Sequence, residues 1–323
     1  MKKLIAFLAS CAVIGCGSAF AQAKPFPQRT VTLVVPWAAG GGTDIVARKF
    51  AAQLADLWGQ PVIVENVPGA SSIIGSQRVA KAAPDGHTLM VTTNGTIVGN
   101  RFLIKNLPYD PDRDLVPVTQ LTNIDMIILA HVGLPANNLK DMIDLAKKEP
   151  GRITYASYGM GSQPQLLFEL LNKRESTQLL HVPYKGVGPA ILSVMAGETH
   201  LTLTGRGTGE AAIKSGKTKV IAYMSDARDP SLPDVPTTAE AGYPYLRVPT
   251  WHGMFAPPNT PKELLDRIQR DVATIASRPD FHKDLTSRGY GLPVSTPEAY
   301  AAALRQEVKQ TAEMVEAAGL KPE

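Results

Sequence analysis

The composition of the chain limits the classes of function that it can have. The chain has 323 residues, of which 44% are hydrophobic and 19% charged. Its net charge is only +4, whereas a nucleic-acid-binding surface needs a clear excess of basic residues. Both cysteines, Cys11 and Cys16, lie near the N-terminus, so the rest of the chain offers neither disulfides nor thiolate ligands.

The first 23 residues are predicted to be a signal peptide. Lys2 and Lys3 precede an apolar stretch at 4–14 that is too short to span a bilayer, and small residues provide cleavage sites near Ala21 and Ala23. We therefore expect an exported protein. A loose lipobox before Cys16 leaves lipid anchoring open as an alternative. No later stretch is apolar over enough residues to cross a membrane.

After the signal peptide, short β-branched runs alternate with amphipathic helical patterns. The predicted strands span residues 30–35, 61–66, 88–93, 123–131, 152–157, 179–184, 199–204 and 219–225. Helices are predicted at 44–57, 76–82, 139–148, from 164 onward, at 189–196, 208–215 and 264–276, and from 297 to about 319. Such alternation is typical of an α/β protein with largely parallel sheets.

A glycine-rich turn joins the first predicted strand to the first helix, in the stretch VTLVVPWAAGGGTD at 31–44. Amides at a helix N-terminus attract anions, and glycines let the backbone approach the anion closely. The turn lacks the P-loop and dinucleotide motifs, so we expect a carboxylate smaller than a nucleotide. A plain strand-to-helix turn is the alternative. Asp44 would repel an anion and is expected to point outward.

A second small-residue turn, SYGMGSQ at 157–163, precedes another predicted helix. Ser162 is suited to cap that helix, to contact a ligand, or both. Tyr158 is expected to stack on a ligand or to cover the cleft. Because ligands of doubly wound folds bind beyond the carboxyl ends of strands, two such turns from two domains could enclose one ligand.

Three further positions follow strands or flank the first turn. Thr96 ends the polar stretch TTNGT at 92–96, and Trp37 is placed to wall the pocket. Arg206 lies between glycines after a strand, where it is either a surface residue or a bidentate partner for a carboxylate.

Metal and catalytic sites are not predicted. The six histidines show no H-x-x-x-H or H-E-x-x-H spacing, and there is no G-x-S-x-G elbow. No serine is recognisably paired with a histidine and an acid, although such triads need not be local in sequence. We therefore expect a protein without catalytic residues, metal or cofactor.

With these residues in view, the chain resembles the Bug family, extracytoplasmic solute receptors of tripartite tricarboxylate transporters. The similarity runs through most of the chain after the signal peptide. The matching stretches are VTLVVPWAAGGGTDIVAR at 31–48, GQPVIVENVPGA at 59–70, AAPDGHTL at 82–89, NLPYDPDRDLVPVTQL at 106–121, ITYASYGMGS at 153–162, HVPYKGVGPA at 181–190, LPDVPTTAEAG at 232–242 and GMFAPPNTPKE at 253–263.

The resemblance implies a type II periplasmic-binding-protein fold whose two α/β lobes close on a ligand. Residues 24–123 and 247–323 would form the first domain, and 124–246 the second. The family pattern implies ligand contacts from both turns and their surroundings, at Trp37, Ala39, Gly40, Gly41, Thr43, Thr96, Ser157, Tyr158, Gly159, Gly161, Ser162 and Tyr184.

One departure from the family bears on the ligand. Many relatives carry an aspartate where this chain has Thr204, and Arg206 follows two residues later. This exchange disfavours amino acids and favours a second carboxylate, so an aromatic or aliphatic dicarboxylate is expected, held in part by Thr204 and Arg206.

We therefore expect a periplasmic, monomeric receptor that delivers a small carboxylate to a membrane permease. A sensor that signals through another receptor and a secreted hydrolase remain the alternatives.

Overall fold

The computed structural model describes residues 26–159, 161–184, 186–225 and 227–322, which form two lobes, each built on its own sheet. The predicted signal peptide and Cys16 lie outside the described residues. No helix within these ranges combines the length and the apolar character that a membrane span needs.

The first lobe is a six-stranded sheet covered by helices on both faces. Its strands are β1 (Val31–Val35), β2 (Val62–Asn66), β3 (Thr88–Thr93), β4 (Val116–Ile124), β10 (Trp251–Ala256) and β11 (Tyr290–Gly291), in the order β11-β4-β10-β3-β1-β2. Its helices are α1 (Gly42–Trp58), α2 (Ile73–Ala80), α3 (Asn100–Leu103), α8 (Lys262–Ala276), α9 (Pro279–Thr286) and α10 (Pro297–Ala317), with a π-helical turn at Gly95–Gly99 before α3.

The second lobe is a five-stranded sheet. Its strands are β5 (Met126–His131), β6 (Thr154–Ser157), β7 (Leu180–Pro183), β8 (Leu201–Gly205) and β9 (Thr218–Met224), in the order β7-β6-β8-β5-β9. Its helices are α4 (Leu139–Lys148), α5 (Gln163–Glu175), α6 (Val187–Ala196) and α7 (Arg206–Lys214).

Both sheets are mixed, which corrects the expectation of largely parallel sheets. β1 pairs in parallel with β2 and β3, but β10 runs antiparallel to β3 and β4, and β5 runs antiparallel to β8 and β9. β5 and β10 are reversed because each is the first strand after the chain crosses from one lobe to the other. Each therefore enters its sheet from the interlobe edge. The predicted strand at 123–131 is in fact two strands, divided at Asp125 where the chain changes lobes.

Helix α1 shows how the pattern of apolar residues sets the packing. Val46, Phe50 and Leu54 are fully buried, in a core with β1, β3 and α8, as their helical spacing predicts. Burying each such side chain stabilises the fold by roughly 1.5–3 kcal/mol. The same helical spacing places Leu57 on this face, but Leu57 is 40% exposed because it lies in the last turn of the helix, beyond the core.

Helix α10 packs in both lobes. Tyr300 and Leu304 lie in a core of the first lobe, whereas Met314 and Val315 lie in the main core of the second. The last helix therefore buries side chains in the cores of both lobes.

Candidate functional site

The carboxyl ends of the parallel strands in the two lobes face each other. In the first lobe, the pairing of His252 with Thr93 places the end of β3 beside the start of β10, where the chain arrives from the other lobe. In the second lobe, the pairing of Met126 with Gly205 places the end of β8 beside the start of β5 in the same way. Residues of the turns after β1, β3 and β6 therefore line a cavity in the interlobe cleft, the usual ligand position in such folds.

The first turn exposes its backbone just beyond the carboxyl end of β1. Ala39, Gly40 and Gly41 are exposed, and Gly40 has φ +82°, a conformation that glycine adopts without strain. Helix α1 begins at Gly42, and no side chain caps it at Gly41. Its first-turn amides, including that of the buried Thr43, lack intrahelical acceptors and carry the positive end of the helix dipole.

Asp44 is folded into this turn, so the expectation that it points outward is wrong. The residue is 4% exposed, and Oδ2 accepts hydrogen bonds from the Gly40 amide at 2.9 Å and from Arg48 Nε at 3.0 Å. Asn66 Nδ2 donates to Oδ1 at 3.0 Å. Burial works against ionisation of Asp44, but hydrogen bonds from Arg48, Gly40 and Asn66 prevail and lower its pKa. The Asp44 carboxylate therefore stabilises the conformation of the turn, and Arg48 compensates its negative charge.

The second turn is held by its own hydroxyls. Ser162 Oγ donates to the carbonyl of Gly159 at 2.6 Å and makes no capping bond to α5, so the capping role that Ser162 was suited for is not observed. Ser157 Oγ lies 3.2 Å from the amide of Gly159 and 2.5 Å from His181 Nε2. The first amides of α5 are thus left without a side-chain cap, as in α1.

A cavity of about 360 Å³ lies between the lobes and brings Trp37 together with Tyr158, Gly161 and Ser162. Trp37 Nε1 donates to Thr92 Oγ1 at 3.3 Å, and Tyr158 Oη donates to the carbonyl of Leu203 at 3.3 Å. Both rings are therefore anchored at their polar ends. Burial raises the pKa of Tyr158, so its phenol stays neutral.

The walls of this cavity are mostly apolar, and within the described ranges no Lys, Arg or His lines it. The lining residues besides the four named above are Thr93, Asn94, Gly95, Val98, Gly99, Asn100, Leu103, Gln163, Leu166, Val248, Pro249, Glu307, Thr311 and Met314. An anion in the cleft would accordingly rely on main-chain and neutral side-chain donors. A cavity of this size and polarity is typical of small-molecule sites.

Three of the expected ligand residues lie behind the cleft or point elsewhere. The hydroxyl of Thr96 is buried between Thr92 Oγ1, at 2.6 Å, and Ser72 Oγ, at 2.9 Å. Thr204 is fully buried. Tyr184 Oη lies 3.5 Å from Glu198, although the Tyr184 amide donates to the Ser157 carbonyl at 2.9 Å and so ties the two turns of the second lobe together.

Arg206 lies outside the interlobe cavity and is paired with two acids. Its guanidinium donates to Asp229 at 2.6 Å and to Ser231 at 2.9 Å, and it also forms an ion pair with Glu210. Arg206 lines a separate groove to which both lobes contribute, with Arg288 on the first-lobe side. Its charge is therefore compensated within the protein, which removes the electrostatic reason for expecting it to bind a second carboxylate.

Sequence reasoning missed Glu307, which lies on α10 at the cavity wall. The carboxyl accepts a hydrogen bond from Trp251 Nε1 at 2.7 Å, and burial raises its pKa to about 7. A signal was available, because Glu307 follows Tyr300 and Leu304 at the helical spacing of a buried face.

The Ser157–His181 pair was also missed, since the two residues are 24 positions apart. The pair has the distance of a nucleophile and its base, but Ser157 is fully buried and its hydroxyl is engaged within the turn.

Comparison with known proteins identifies a family and several solved structures that this chain resembles. The family described as tripartite tricarboxylate transporter family receptor matches residues 46–320. The solved structure of the periplasmic binding protein BugD is 35% identical, with a TM-score of 0.73 over 92% of this chain and 100% of that one.

Two further solved structures were obtained with ligands. R. palustris Rpa4515 with adipate is 30% identical, with a TM-score of 0.77 over 92% of this chain and 100% of its own. MatC from Rhodopseudomonas palustris with bound malate is 35% identical, with a TM-score of 0.72 over 90% of this chain and 100% of its own.

Proposed function

Because the chain belongs to the tripartite tricarboxylate transporter receptor family, a family of periplasmic solute-binding proteins rather than enzymes, we propose that it captures a small dicarboxylate between its lobes. The closed complex is then presented to the membrane permease of a tripartite transporter. The observation that carries this proposal is the interlobe cavity that joins Trp37 of the first turn to Tyr158, Gly161 and Ser162 of the second. Each of these turns leads into a helix, α1 or α5, whose N-terminus has no side-chain cap.

These termini supply the chemistry that a dianion needs. The termini of α1 and α5 offer first-turn amides without a side-chain cap and the partial positive charge of a helix dipole, so binding does not require an arginine at the ligand. The proposed contacts in the first lobe are the backbone at Ala39, Gly40, Gly41 and Thr43. In the second lobe they are Tyr158, Gly159, Gly161 and Ser162, with the buried Ser157 supporting the turn from behind. Trp37 walls the site, and Tyr184, Thr96 and Thr204 support it.

The carbon skeleton of the ligand is proposed to contact the apolar walls of the interlobe cavity. The flat faces of Trp37 and Tyr158 suit an aromatic ring as well as an aliphatic chain. The ligands named for the two related structures, adipate and malate, are aliphatic.

Capture is proposed to work by a shift of population. A ligand that touches both lobes makes all of its contacts only when the lobes are closed, so it stabilises the closed state over the open one. No covalent step is involved. The permease then recognises a surface to which both lobes contribute.

A thermal-shift screen tests the proposal. We expect malate, adipate or terephthalate to raise the melting temperature, because a ligand at 100 times its Kd stabilises the folded state by about 2.7 kcal/mol. Hexanoate and adipamide are the matched controls for one and for no carboxylate. A protein stabilised equally by adipamide would not be a carboxylate receptor, and one stabilised equally by hexanoate would not require the second carboxylate.

A further inference from the structure

The histidine of the second lobe, His181, is coupled to the turn proposed to hold the anion. His181 lies on β7, and Tyr155 lies opposite it on β6. The rings of these two residues stack, with centroids 5.1 Å apart and planes inclined by 18°. This stacking directs His181 Nε2 to Ser157 Oγ, at 2.5 Å.

Hydrogen bonds of Ser157 connect His181 to the backbone of the turn. Its hydroxyl lies 3.1 Å from the carbonyl of Gly159 and 3.2 Å from the amide of Gly159. Since Gly159 has φ +124° and Ser162 also donates to its carbonyl, the conformation of the turn depends on this hydroxyl. A chain of hydrogen bonds therefore runs from the imidazole to the turn that precedes α5.

We propose that His181 is a positioning residue that orients the 157–162 turn through Ser157 and makes carboxylate affinity depend on the protonation of its ring. A protonated imidazole can only donate to Ser157 Oγ, which obliges the hydroxyl to donate to the Gly159 carbonyl. It also adds a positive charge beside Ser157, the residue at which the turn begins. Both effects favour an anion in the cleft. The inference rests on the proposed function.

The surroundings of His181 shift the pKa of its ring. Burial lowers the pKa of His181, and the nearby carboxylate of Glu169 partly offsets that effect. Glu169 accepts a hydrogen bond from Tyr155 Oη at 2.6 Å rather than from His181. Among the described residues, Glu169 on α5 and Tyr155 on β6 are the titratable groups that face the ring. Burial therefore favours the neutral imidazole, and the charged form gains population as the pH falls.

The test compares three variants by calorimetry with adipate and with malate between pH 5.5 and pH 8. His181→Gln keeps a hydrogen-bonding group near Ser157 but does not titrate, and His181→Ala removes both properties. His200→Gln is the matched control, because His200 is also half-buried in the second lobe and bonded to Thr154, at the edge of the sheet remote from the cleft. Protonation of the ligand cancels when each variant is expressed as an affinity ratio to the native protein.

We expect the ratio of native to His181→Gln affinity to rise by about 5-fold or more as the pH falls across this range, within the usual size of coupling between sites. His181→Ala should bind more weakly at every pH, and the ratio for His200→Gln should stay flat. A ratio for His181→Gln that is constant with pH overturns the inference while leaving the receptor function intact.

A measurement without ligand keeps the inference testable if neither acid binds. In NMR titrations we expect the amide resonances of Gly159 and Gly161 to follow the imidazole titration of His181, and to stop following it in Ser157→Ala. Turn amides that do not respond to His181 in the native protein overturn the coupling. Failure of adipate and of malate to bind would instead count against the proposed dicarboxylate.

Discussion

Glu307 and Trp251 meet where the last helix passes between the lobes, with the indole Nε1 donating to the carboxyl at 2.7 Å. Trp251 opens β10, the strand by which the chain returns to the first lobe, and Glu307 lies between the first-lobe and second-lobe halves of α10. The only acid that lines the cavity among the described residues is therefore also at the crossing point of the two lobes.

Replacing Glu307 should change how stability depends on pH. Its pKa is about 7 in the folded protein against an ordinary value of 4.5, so between these values the folded state keeps a proton that the unfolded state has lost. The contribution of Glu307 to the free energy of unfolding thus falls as the pH rises from 4.5 to 7, by up to about 3 kcal/mol, and is constant above that range. Glu307→Gln should lose this decline in urea unfolding experiments.

The exposed Glu313 of the same helix provides the control for this prediction. Glu313→Gln should retain the pH dependence of the native protein. The assignment to Glu307 would be wrong if Glu307→Gln kept the same decline between pH 4.5 and pH 7.

Removing the Asp44 carboxylate should loosen the first turn. Asp44→Ala leaves the Gly40 amide and Arg48 without their shared acceptor, which should cost about 1–3 kcal/mol in the free energy of unfolding. Carboxylate affinity should fall as well, because the turn is no longer preorganised. Asp56→Ala, an exposed acid of the same helix, should change neither property. Unchanged affinity in Asp44→Ala would separate this turn from the binding site.

Truncating Arg206 should affect stability more than binding. The sequence favours a direct role for this residue, and on that basis Arg206→Ala would weaken dicarboxylate binding. In the structure its partners are Asp229 and Glu210, so we expect a loss of about 1–3 kcal/mol in unfolding free energy and an almost unchanged Kd. Arg228→Ala breaks an exposed pair with Glu240 and should cost less than about 1 kcal/mol. A large loss of affinity by calorimetry would return Arg206 to the binding site.

A methyl group at Gly161 should hinder the approach of the lobes. Gly161 and Gly216 share φ +71°, so alanine suffers the same backbone strain at both positions, roughly 1 kcal/mol. A Cβ at Gly161 would lie 2.9 Å from Leu103 of the first lobe, whereas one at Gly216 would meet nothing within 4 Å. Gly161→Ala should therefore weaken carboxylate binding, and Gly216→Ala should only lower the melting temperature. Equal affinities in the two variants would show that this contact does not limit closure.

The sequence by itself determined the local features of this protein. Glycine-rich turns, β-branched runs and the apolar face of α1 depend on neighbours within a few residues, so they could be read directly. The same information, with the family resemblance, was enough to place Trp37, Tyr158 and both cleft turns among the candidates. It was also enough to predict an α/β fold of two lobes.

Only the tertiary structure decided which groups pair over long distances. The reversed strand β10, the pairing of Arg206 with Asp229 and the contact between His181 and Ser157 join residues that are many positions apart. The sequence alone does not show whether a charged group or a hydroxyl will pair with a ligand or with another side chain. That choice is made when folding brings the partner close enough to satisfy the group. Here folding turned Asp44 toward the Gly40 amide and paired Arg206 with Asp229.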